Sequence, residues 1–138
     1  MVNTGVTMWP MSKIISFAWT TPALLAGRKT CTRRDWSQKY AGGFASGELV
    51  QAWDKNPRSR VGQQVAWIRL TAAPYQELMQ LMPDSDYEAE GYRFFEEHPE
   101  ELPQIHGPMG VTWVHFENWR NSPDRMWVVR FELEEVLV

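Results

Sequence analysis

The sequence predicts an α+β fold, a small mixed β-barrel flanked by helices, formed by one domain over residues 12–138. Three observations carry this expectation. Segments rich in β-formers dominate the first half, stretches with helical spacing come late, and an alternating apolar segment near the end returns to the sheet. The chain has 138 residues, 43% of them hydrophobic, enough to bury one core without covalent staples.

Residues 1–11 lack the charged start and apolar block of a signal peptide and read as a flexible arm or a short added strand. Residues 12–19 (S-K-I-I-S-F-A-W) read as a buried strand. Thr21-Pro22 then resembles an N-cap followed by proline at the first helical position, and Gly27 is placed to end the short helix Ala23-Leu24-Leu25-Ala26 in a left-handed turn. Extended backbone from Thr30 puts Thr30, Thr32 and Arg34 on one face and Cys31 and Arg33 on the other. A helical turn follows, with Trp36 and Tyr40 four apart, and Gly42-Gly43 marks a loop. The strand Glu48-Leu49-Val50-Gln51-Ala52-Trp53 pairs as a hairpin with residues 64–70, across the basic connection Asn56-Pro57-Arg58-Ser59-Arg60.

The second half is helical before it closes. After Pro74 the spacing of Tyr75, Leu78, Met79 and Met82 predicts a helix, and residues 87–97 predict an acidic one, weakened or ended at Gly91. Residues 98–110 read as a loop, and residues 111–119 as an amphipathic helix through Val111, Val114, His115 and Trp119. A turn at Asn121-Ser122-Pro123-Asp124 leads to a closing strand, residues 126–133, with Trp127, Val129, Phe131 and Leu133 on one side.

The net charge of −3 hides a polarity. Up to residue 70 there are ten Lys/Arg against three Asp/Glu, and from residue 71 four against fourteen. Either the basic half forms a surface that meets phosphate, or the halves attract each other within the fold. The single cysteine permits no intramolecular disulfide and has no zinc-ligand spacing, which suits a reducing cytoplasm. His98, His106 and His115 lack ligand spacing, so no metal is expected, and no cofactor either. No apolar run approaches the roughly 18–20 residues of a membrane helix. Among eight tryptophans, Trp36, Trp53 and Trp119 are candidates for stacking on a flat ligand, the rest for packing.

The stretch L-A-G-R-K-T-C-T-R-R-D-W, residues 25–36, strongly resembles the signature of the ASCH family within the PUA-like barrels, a G-x-K-T-x-T-x-R segment after the first helix. Gly47-Glu48-Leu49-Val50, Glu90-Gly91-Tyr92 and Val128-Val129-Arg130-Phe131-Glu132-Leu133 occur in the expected order. The resemblance implies a barrel whose cleft binds a nucleoside or RNA, bordered by Arg28, Thr30, Arg33, Arg34, Trp36 and Tyr92. One branch of that family removes acetyl from acetylated cytidine. Carried over, its lysine, threonine and glutamate match Lys29, Thr32 and Glu90. Other members are regarded as RNA-binding or ribonuclease-like, so a non-catalytic RNA module and a metal-independent ribonuclease stand beside the amidohydrolase.

The residue chemistry bears on that choice. Amide hydrolysis needs a nucleophile, a proton acceptor and a donor to the leaving amine. Thr32 could attack and Lys29 could accept its proton, while Glu90 orients Lys29, handles the proton or activates water. Arg34 shares a face with Thr32 and could hold an oxyanion. In a regular strand Lys29 and Thr32 diverge, so they converge only if Lys29 still belongs to the turn after Gly27. Cys31 faces away from the threonines and reads as core.

Overall fold

β6 (Arg125–Val136) is the strand on which the sheet is assembled. The computed structural model describes residues 12–103 and 112–138; the arm at 1–11, part of the loop at 98–110, and Val111 lie outside the described residues. Five further strands are β1 (Ile14–Ser16), β2 (Cys31–Arg34), β3 (Leu49–Trp53), β4 (Gln64–Leu70) and β5 (Tyr75–Leu78). The sheet runs β1-β3-β4-β6-β2, with β5 pairing β6 as well. β1 lies parallel to β3, and the other pairings are antiparallel, so the sheet is mixed. β4 pairs the C-terminal half of β6 and β5 the N-terminal half, so the two follow each other along one edge. β2 occupies the opposite edge.

The sheet curls into a half-barrel whose terminal strands meet. The Arg34 guanidinium, at the end of β2, donates to the Ser16 carbonyl, at the end of β1, at 2.7 Å. Inside the curl lie Ile15, Phe17, Leu24, Val50, Ile68, Val129 and Phe131, all buried. Each such large side chain contributes roughly 1.5–3 kcal/mol of burial energy. Among the described residues, no helix is long and apolar enough to cross a membrane.

Short helices line the edges: α1 (Thr21–Leu25), α2 (Gln38–Ala41), α3 (Asp86–Ala89), α4 (Tyr92–Glu97) and α5 (Trp113–Arg120). The first starts one residue earlier than the Thr-Pro signal suggests. Its N-cap is Thr20, and the Thr21 hydroxyl donates back to the Ala18 carbonyl. Gly27 has φ +75° and ends the turn as expected. The predicted acidic helix is two helices, broken at Gly91, which has φ +98°.

Three expectations fail. The strand expected over residues 12–19 is confined to Ile14–Ser16, and a 3-10 turn, Ala18–Thr20, replaces its end. Tyr75, Leu78, Met79 and Met82 do not share a helix; residues 75–78 form β5, and a single 3-10 turn, Met79–Leu81, follows. Their apolar spacing fits a helix, but the exposed edge of β6 offers four residues of ladder, and tertiary pairing outweighs weak local preference. The last helix also buries a different face. Val114 is 64% exposed, whereas Phe116 is fully buried and packs with Tyr87 and Tyr92. His115 instead closes a capping box with Thr112.

Candidate active site

The site forms at the seam where the sheet's two ends meet, and Gly27 and Gly91 bring its parts together. After the left-handed turn at Gly27, the backbone N–H groups of Arg28 and Lys29 both donate to the Ala23 carbonyl. Lys29 therefore still belongs to the turn and precedes the regular strand. Thr30 ties this segment to α3 through its N–H to the Ala89 carbonyl, and to β6 by accepting from Phe131. Gly91 stands directly against the same place. A Cβ added there would lie 3.0 Å from the Ala23 Cβ and 3.6 Å from the Lys29 Cβ. Glycine at this position permits both the chain reversal and the close approach that delivers Glu90 to Lys29.

The Lys29 amine donates to the Glu90 backbone carbonyl at 2.9 Å and to Glu90 Oε1 at 3.0 Å. Both residues are 3% exposed. Arg33 Nη1 donates to Glu90 Oε2 at 2.7 Å. The carboxylate thus has one cation at each oxygen, an arrangement that makes its burial tolerable. On the other face of β2, Thr32 Oγ1 accepts from Arg34 Nε at 3.1 Å.

Lys29, Thr32, Arg34 and Glu90 line one cavity of about 440 Å³. Its walls include Phe17, Trp19, Tyr92 and Trp119. The Tyr92 and Trp119 rings lie nearly parallel, 10° apart, with centroids 5.8 Å from each other. Burial, and then the Glu90 charge, push the Tyr92 phenol upward, so it remains a neutral hydroxyl. Burial also works against the charge of Arg34. Among the described residues, Arg34 is the cation of this cavity without a carboxylate partner, since Lys29 and Arg33 are both paired.

Of the other expected site residues, Tyr92 and Arg33 reach the cavity, while Arg28, Thr30 and Trp36 do not. Arg33 lines the cavity, but its side chain is fully buried and engages Glu77 at 2.7 Å and Asp86 at 2.6 Å as well as Glu90. Arg28 sits outside, held by Glu88 and Glu97. Thr30 and Trp36 do not line the cavity; Trp36 stacks on Phe44, 4.8 Å away and 7° from parallel. Cys31 is fully buried, as expected, with Sγ 3.5 Å from Glu90 Oε2, and burial pushes its thiol pKa up. The charge polarity of the chain is used internally. Arg28, Lys29, Arg33 and Arg69 from the basic half all pair with carboxylates of the acidic half.

Sequence reasoning overlooked Glu77, Asp86 and Arg130. Arg130 clamps Asp86 with two hydrogen bonds, of 2.7 and 2.8 Å. The signal for it lies in the register: Arg130 stands opposite Cys31 across the β2–β6 ladder, on the face that carries Arg33.

No family model matches the chain, and no curated protein matches it. Among solved structures it is similar to the crystal structure of protein EF3133 from Enterococcus faecalis V583, described with the family model DUF984. The TM-score is 0.55 at 19% identity, over 93% of this chain and 83% of that one. The likeness is one of fold.

Proposed function

We propose that this protein binds a nucleoside-sized ligand in the seam cavity and hydrolyses an amide on it, with acetylated cytidine the most concrete substrate. The observation that carries the reading is that Lys29, Thr32 and Glu90, from a turn, a strand and a helix end, border the same cavity. Its volume of about 440 Å³ lies within the range of small-molecule sites and suits one nucleoside. Parallel Tyr92 and Trp119 rings offer a flat base a surface to stack on. The resemblance of residues 25–36 and 90–92 to the ASCH signature, and to its acetylcytidine branch, supports the same substrate class.

The chemistry then divides among the three residues. Thr32 Oγ1 attacks the acetyl carbon, and its proton passes to Glu90 by way of a cavity water, since the two side chains border the cavity from opposite faces of β2. Arg34, which already donates to that oxygen, steadies it as its charge changes. The C–N bond breaks as the leaving nitrogen takes a proton from Lys29, and Glu90 returns its proton to Lys29 across their existing hydrogen bond. Water then attacks the acetyl ester. Its proton travels through Glu90 to Thr32 Oγ1, acetic acid leaves, and the site is restored.

A polynucleotide groove draws less support, because Arg28 and Arg33 are committed to carboxylates. The test is acetate release from N4-acetylcytidine by the purified protein. Turnover that disappears in Lys29→Ala and Glu90→Ala is the expected result. Absent turnover, or turnover unchanged in both variants, would refute the proposal.

A further inference from the structure

We infer that Asp86 and Arg130 are positioning residues for this site, acting on Glu90 through Arg33; the inference rests on the hydrolytic reading above. Three cations and three carboxylates form one continuous network, buried at Lys29, Arg33, Asp86 and Glu90 and half-buried at Glu77 and Arg130. Lys29 and Arg33 meet Glu90, Arg33 also meets Asp86 and Glu77, and Arg130 meets Asp86. Charges balance within it, as burial requires. The order of contacts matters more than the balance. Arg33 has two terminal nitrogens, one on Glu90 Oε2 and, at 3.6 Å, on Cys31 Sγ, the other shared between Asp86 Oδ2 and Glu77 Oε1. Its Nε has no partner among the described residues, so the guanidinium orientation depends on those carboxylates. Asp86 is in turn fixed at both oxygens by Arg130.

Arg130 does not line the cavity, and its side chain is 27% exposed at the outer end of this chain of contacts. Loosening it lets Asp86 and Arg33 relax, and Glu90 Oε1 loses its fixed relation to Lys29. A reacting group displaced by about 1 Å costs on the order of 100-fold in rate. Because Arg130 does not line the cavity, that loss falls on kcat and leaves KM in place.

The experiment compares wild type, Arg130→Gln and Arg130→Lys, with Arg33→Lys as a second disruption nearer the site. Acetate release from N4-acetylcytidine gives kcat and KM, calorimetry gives cytidine affinity, and crystal structures give the Glu90 contacts. Expected for Arg130→Gln are a fall in kcat of roughly 10- to 100-fold, KM and cytidine affinity within about twofold of wild type, and a displaced Glu90 carboxylate. Arg130→Lys recovers part of the rate. A purely structural role would lower the melting temperature while leaving kcat of the folded protein unchanged, and that outcome overturns the inference. Should wild type show no turnover, the hydrolytic reading fails, and the positioning claim is decided by the crystal structures. Glu90 contacts unchanged in both Arg130→Gln and Arg33→Lys then refute it.

Discussion

Replacing Gly91 with alanine probes the joint that brings Glu90 to Lys29. Two costs are separable there. The backbone holds φ at +98°, where an L-residue pays about 1–2 kcal/mol. The new methyl would also sit 3.0 Å from the Ala23 Cβ, which has no rotamer to turn away with. Overpacking of this kind costs about 1–3 kcal/mol. Together they come to about 3 kcal/mol, or roughly 10 °C in melting temperature for a domain of this size. Gly27 supplies the control. Its φ is +75°, but an added Cβ meets nothing within 4 Å, so Gly27→Ala carries only the backbone cost of about 1–2 kcal/mol. Thermal unfolding followed by circular dichroism measures both. The Gly91 variant should melt several degrees below the Gly27 variant and lose acetate release, as Glu90 is pushed off Lys29. Equal melting temperatures for the two variants would refute the close approach at the site.

Two further predictions concern the buried network. Burial works against ionised Asp86, but hydrogen bonds from Arg130 and Arg33 outweigh it and hold the carboxyl below the usual range. A depressed folded pKa means stability that is present above the unfolded value of about 3.9 and lost as pH falls through the folded one. Denaturant titrations should therefore show wild type far more stable than Asp86→Asn at pH 7, with the gap narrowing below about pH 4; a gap independent of pH would contradict this account. The Cys31 thiol is buried, and that burial raises its pKa. A disulfide reagent should leave it unmodified in the native protein and label it on unfolding, whereas rapid native labelling would show that the β2 interior is open.

How much of this was legible in the sequence differs from element to element. Alternation sorts Thr32 and Arg34 from Cys31 and Arg33, and β2 keeps that sorting because its four residues pair in simple register with β6. Gly27 and Gly91 are legible as helix ends. Their joint role is not, since the contact between Gly91 and Ala23 spans residues far apart in sequence. Periodicity fails at residues 75–78, where a four-residue segment has too few positions to separate helix from strand and the edge of β6 decides. That error also hid Glu77, which reaches Arg33 only because β5 is a strand. The charge polarity was visible but ambiguous. Only geometry reveals that Lys29 and Arg33 turn inward, and Arg28 across the surface, onto carboxylates sixty or so residues away. Trp119 could be marked as a stacking candidate, while its placement beside Tyr92 depends on the folded chain bringing α5 to the start of α4.

The central claim is that Lys29, Thr32 and Glu90 act on one bound amide. Its most direct measurement is a crystal structure of the Glu90→Ala variant with N4-acetylcytidine. The account predicts the base beside Tyr92 and Trp119, and the acetyl carbon about 3–3.5 Å from Thr32 Oγ1. A ligand bound outside the cavity, no bound ligand at saturating concentration, or an acetyl group directed away from Thr32 would contradict it.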